Sequence, residues 1–188
     1  MYLFIDVISP DWALILFNDD KIISESRVSL KWKEFNNLLE NIEDLLKQNL
    51  MEFKDLSWIT VINWPWSFTW TRVIALIVNT LILVYGIKVE AIGYFRFLEL
   101  SEASCPMFIK ANKNEYLVRI SSSQEPIIEN IGEVKDGAYF WIWDNIDFEN
   151  RKIYIKSISD YSIFFKNYRF DWKAENIEPL YIKKPNIT

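Results

Sequence analysis

The stretch from Arg72 to Tyr85, "RVIALIVNTLILVY", constrains the fold more than any other. Arg72 is its only charge, and Asn79 and Thr80 alone break its apolar run. Gly86 follows, where a helix C-cap glycine is expected. A helix apolar on all sides must be covered on all sides. Val73 to Val84 is 12 residues, whereas a bilayer span needs about 20 mainly apolar residues. The segment is therefore expected as a packed helix, one side on the chain's own sheet and the other facing a protein partner. "LSWITVIN" (56–63) precedes it, a continuous apolar run of the kind that forms strands buried on both faces.

The remaining pattern builds a frame around this pair. "MYLFID" (1–6) reads as a buried strand closing on Asp6, with Pro10 and Asp11 as breakers after it. "WALILFND" and "KIISESRVS" read as two strands joined at Asn18-Asp19-Asp20, so the first three strands form a meander. From Lys33 to Leu50, Phe35, Leu38, Leu39, Ile42, Leu45 and Leu46 recur at spacings of three and four, which predicts an amphipathic helix. A strand at 87–93 and a helix over "YFRFLELSE" complete the order β-β-β-α-β-α-β-α, a mixed α/β sheet with helices. The second half reads as β-rich and aromatic: a hairpin at 106–121, then "GAYFWIWDNI", "RKIYIKSIS" and "YSIFFKN". Two lobes are expected, 1–102 and 103–188.

Composition removes several chemistries. The chain has no histidine and one cysteine, Cys105. That excludes a Ser-His-Asp triad, a Cys-His dyad, a zinc cage and an internal disulfide. The net charge of −5 argues against binding nucleic acid through phosphate contacts by the chain alone. Asp6 interrupts the first apolar run, so no secretory leader is read, and the expected setting is reducing and cytoplasmic. Glycine is scarce: 4 of 188 residues against 9 tryptophans, when about 7% glycine is usual.

Tryptophan is placed oddly as well. Three of the nine fall in "NWPWSFTWTR" (63–72), a turn between strand and helix where positive φ favours glycine. A residue with a side chain held in the left-handed region costs roughly 1–2 kcal/mol. Ser67 and Thr69 have no histidine to activate them and read as caps of a helix starting near Thr71. Asp6 reads either as a metal-binding acid at a strand end or as a turn cap. Asp11 and Asp20 are the other acids within reach, and no G-x-x-x-x-G-K-[ST] motif is present.

The layout and the 58–72 stretch together resemble the TsaB (YeaZ) family, bacterial proteins needed to make threonylcarbamoyladenosine in tRNA. Family members carry "GPGSFTGLR" between a strand and a helix. Pro65, Ser67, Phe68, Thr69 and Arg72 match it, and Trp64, Trp66 and Trp70 stand at its three glycines. "LFID" resembles the family's "LAID", and Trp58 stands at a further glycine place in "LSWITV". "FIKANKNEYLVR" resembles the hairpin opening the second lobe, and "IEPLYIKKP" the family's C-terminal ending. A gene that uses UGA for glycine, read by a rule that takes UGA as tryptophan, produces such replacements. The alternative is a true aromatic loop that grips a peptide or membrane surface.

The resemblance implies an actin-like, RNase H-like (ASKHA) α/β fold with a smaller, degenerate second lobe. It implies a non-catalytic subunit that supports TsaD in transferring threonylcarbamoyl to tRNA adenosine, with no catalytic or metal-binding residue of its own. Val7 and Ile8 stand where the family commonly has Thr and Ser, so ATP and metal are expected on partner subunits. The partners implied are TsaD, the TsaE ATPase, tRNA through the complex, and a second copy of the chain; no membrane is expected. The helices 33–50 and 71–85 correspond to the family's partner-binding bundle, with Phe35, Leu39, Ile42, Leu46, Ile74, Val78, Leu81 and Tyr85 as contact candidates taken from periodicity. The rival readings are a metal nuclease of RNase H type, a glycoprotease-type peptidase, and a peptide- or membrane-binding module using the tryptophan loop.

Overall fold

The computed structural model describes residues 1–7, 12–19, 21–28, 37–63, 68–110, 115–130, 137–140, 153–156 and 160–169. Two compact units result: one holds Met1–Tyr94 and takes up the chain again at Tyr168, the other is Phe95–Asn167. The division falls earlier than the 102/103 boundary read from composition.

The first unit is built on a five-stranded mixed sheet. Its strands are β1 (Tyr2–Asp6), β2 (Trp12–Asn18), β3 (Lys21–Val28), β4 (Trp58–Asn63) and β5 (Lys88–Gly93), in the order β3-β2-β1-β4-β5. The meander β1-β2-β3 is antiparallel, and its turn places Asp19 at φ 54°. β4 lies parallel to both β1 and β5. Parallel neighbours need a crossover between them, and the helices α1 (Leu38–Gln48) and α2 (Phe68–Tyr85) lie in the connections into β4 and β5.

Both helices bury one stripe on the same sheet face. Leu38, Ile42, Leu45 and Leu46 of α1 and Ile74, Ala75, Val78 and Leu81 of α2 join Leu3, Ile5, Leu14, Leu16, Ile59, Val61 and Val89 in one apolar cluster. Burial of a Leu, Ile or Val side chain contributes about 1.5–3 kcal/mol, so this cluster holds the helices to the sheet. The alternate residues on the other face, Phe4, Ile15, Phe17, Trp58, Thr60 and Ile62, are buried too. The strand at 58–63 is thus enclosed on both faces, as its unbroken apolar run predicts.

The helix ends show how a chain poor in glycine closes its turns. α1 ends in a Schellman motif: the Met51 N–H donates to the Leu46 carbonyl at 2.9 Å and the Leu50 N–H to Lys47 at 3.0 Å. Leu50 holds the left-handed position at φ 57°. The helix α3 (Tyr94–Leu100) closes in the same way, with Glu102 at φ 63°. Only α2 has the expected glycine: Gly86, at φ 68°, donates its N–H to the Ile82 carbonyl at 2.8 Å.

The second unit contains the sheet β6 (Met107–Lys110), β7 (Glu115–Arg119), β8 (Ile127–Asn130) and the parallel pair β9 (Gly137–Phe140) and β10 (Ile153–Lys156). β6, β7 and β8 are antiparallel, as the expected hairpin requires. "YSIFFKN" departs from its β reading: Ser162–Asn167 is a helix, α4. The Asp160 carboxylate accepts the Ser162 N–H at 2.8 Å at its start. Tyr161, Phe164 and Phe165 are buried at helical spacing, with Phe97 of α3 5.7 Å from the Tyr161 ring and 5.1 Å from that of Phe164. Packing overrides the strand preference of a run of aromatics here.

Candidate functional site

The feature that asks for an explanation is the outer side of α2. With Ile74, Ala75, Val78 and Leu81 turned to the sheet, the 3.6-residue period turns Arg72, Leu76, Thr80, Leu83 and Val84 outward. Leu76 is 68% exposed, Leu83 86% and Val84 61%. Isolated exposed leucines are ordinary; here Leu76, Leu83 and Val84 share one side of a single helix. Thr80 does not interrupt this stripe as a free donor, because its hydroxyl donates to the Leu76 carbonyl one turn back at 2.7 Å. Arg72, also exposed, is the only charged residue of the helix.

The far end of the stripe is braced. Tyr85, the last residue of α2, stacks on Phe53 with ring centroids 5.7 Å apart and planes 23° from parallel. Phe53 opens a 3-10 turn, Phe53–Asp55, fastened by a capping box between Glu52 and Asp55. Tyr85 remains 45% exposed beyond the stack.

The outer side of α1 is different in character. Glu40, Glu43, Asp44 and Lys47 are exposed there, and Lys47 pairs with Glu43 at 2.8 Å. The hydrogen bond that Lys47 donates to the Glu43 carboxylate raises its ammonium pKa above the ordinary value. Leu39 is the exposed apolar residue within this helix, and Leu50, 97% exposed, follows it.

The expected contact residues therefore divide. Leu39 and Tyr85 reach the surface, whereas Ile42, Leu46, Ile74, Val78 and Leu81 lie in the core, where a partner cannot touch them while the helices stay on the sheet. Phe35 lies outside the described residues, as do Trp64, Pro65, Trp66 and Ser67 of the tryptophan turn. Phe68, Thr69 and Trp70 form the first turn of α2, so the helix starts before Thr71 and includes Thr69. Leu76, Leu83 and Val84 were absent from the expected set. Exposed Thr80, one of the two polar breaks in the apolar run, is the sequence signal that marks their side of the helix.

Trp58 and Trp70 are the motif tryptophans among the described residues. Trp58 opens a central strand, is 2% exposed, and pairs in register with Tyr2 and Lys88. Trp70 is helical. Among the described residues the non-glycine positions of positive φ are Asp19, Leu50 and Glu102. Neither backbone position thus needs glycine for its conformation.

Asp6, the other residue singled out by chemistry, ends β1 and is fully buried. Thr60 on β4 is also fully buried. Tyr94 is 1% exposed, and burial, reinforced by the Asp6 charge, pushes its phenol well above the ordinary tyrosine range. Asp11 and Asp20 lie outside the described residues. Among those described, no group of three or more His, Cys, Asp or Glu side chains is placed to hold a metal ion. No helix among them is long and apolar enough to cross a membrane. In the second unit Cys105 is half-buried, and burial raises its thiol while the Arg119 charge partly offsets this. Arg119 is engaged by Glu99 at 3.1 Å and by the Ser122 carbonyl at 2.7 Å.

No family model matches the chain, and no curated protein matches it either. Solved structures do. "YeaZ from Pseudomonas aeruginosa" is similar over 74% of this chain and 74% of its own, with a TM-score of 0.59 and 14% identity. A structure described as an uncharacterized protein with similarity to peptidase YEAZ from Pseudomonas aeruginosa matches at a TM-score of 0.58, again with 14% identity and 74% of each chain. At that identity the likeness is one of fold: the mixed sheet and helices described above are arranged as in YeaZ structures.

Proposed function

We propose that this chain is a TsaB-like subunit in the modification of tRNA, acting without catalysis of its own to support a TsaD-type partner in threonylcarbamoyl transfer. The observation that carries the reading is the exposed apolar stripe Leu76, Leu83, Val84 and Tyr85 on α2 of a YeaZ-like fold. The partner covers this stripe, with Leu39 of α1 as a further contact. The sheet order β3-β2-β1-β4-β5 supports an actin-like, RNase H-like assignment of the first unit. In this reading ATP and metal belong to the TsaD and TsaE subunits, tRNA is met through the complex, and the work is done in the cytoplasm.

The test is co-purification with TsaD from the same source. The native chain should be retained, and a Leu76→Lys, Leu83→Lys variant should lose retention at least tenfold with its circular dichroism unchanged. Failure of the native chain to bind TsaD overturns the proposal. Retention of the double variant at native level moves the contact off α2.

A further inference from the structure

We draw no further inference here: the strongest candidate, the exposed apolar stripe of Leu76, Leu83, Val84 and Tyr85 along α2, belongs to the surface already proposed for the partner, and nothing in the structure shows what else covers it.

Discussion

Tyr168 donates its phenolic hydroxyl to a carboxylate oxygen of Glu90, a residue 78 positions earlier in the chain. The bond fastens the chain back onto the first unit directly after α4, which belongs to the second. On the other side of this crossing the Asn167 amide donates to the Leu100 carbonyl at 3.0 Å, within the second unit. A hydrogen bond to a charged group contributes about 1.5–3 kcal/mol. Tyr168→Phe should therefore lower the unfolding free energy of the first unit by that order. Glu90→Gln keeps an acceptor oxygen and should cost less. Equal losses in urea titrations of the two variants would assign the effect to packing instead of the bond.

The two sides of α2 should respond oppositely to charge. Val78 is fully buried, so Val78→Lys places an unpaired ammonium in the apolar cluster and should cost on the order of 4 kcal/mol. Leu83 is 86% exposed near the helix C-terminus, where a lysine also complements the helix dipole. Leu83→Lys should change stability by no more than about 0.5 kcal/mol. Thermal unfolding of both variants checks the facing of the helix independently of any partner. A large loss at Leu83 would show that α2 is turned the other way.

In the sequence, Thr80 is the one mark of that facing. The order of strands and helices was legible, since the period-2 and period-3.6 patterns and the Asn18–Asp19 turn act locally. α1 carries acids on one side and leucines on the other, so Ile42 and Leu46 could be placed on an apolar stripe. α2 is apolar nearly all round, and periodicity alone does not say which stripe meets the sheet. Periodicity therefore offers Ile74, Val78 and Leu81 as contacts as readily as Leu76 and Leu83. "YSIFFKN" departs from its strand reading for a related reason: aromatics favour strands, and the helical spacing of Tyr161, Phe164 and Phe165 becomes decisive only once Phe97 is beside them.

Glycine should stabilise the chain at two places it does not occupy. Leu50 and Glu102 hold left-handed backbone at the ends of α1 and α3. The left-handed conformation costs a residue with a side chain roughly 1–2 kcal/mol. Leu50 is 97% exposed, so its removal forfeits no packing, and the bonds from Met51 and residue 50 to the helix are made by the backbone. Leu50→Gly and Glu102→Gly should each raise stability by about 1 kcal/mol after the entropy that glycine adds to the unfolded chain. A fall in midpoint for Leu50→Gly would contradict the left-handed assignment.

Alkali should destabilise the first unit through Tyr94. Burial raises its folded pKa well above the unfolded value of 10.0. The folded state therefore keeps the proton when the unfolded state has lost it, and stability falls as pH rises above 10. Below that value both states are protonated and Tyr94 adds no pH dependence. Ultraviolet titration should show Tyr94 ionising only with unfolding, identified by comparison with Tyr94→Phe. Tyr94→Phe should remove that step and flatten the loss of stability above pH 10.

Trp58 separates the two accounts of the tryptophan excess. Its indole is 2% exposed on a central strand, and nothing in its backbone asks for glycine. If tryptophan is the residue this position is built around, Trp58→Gly leaves a large void and should cost about 3–5 kcal/mol, as removal of a buried aromatic does, with a further loss for glycine in a strand interior. If the gene carries UGA at codon 58 and its source reads UGA as glycine, the neighbours are shaped for an absent side chain, and the glycine form should be at least as stable as the tryptophan form. Expression of both forms, compared by thermal unfolding, separates the two. A UGG codon at 58 together with a destabilised glycine variant would end the recoding account at this position.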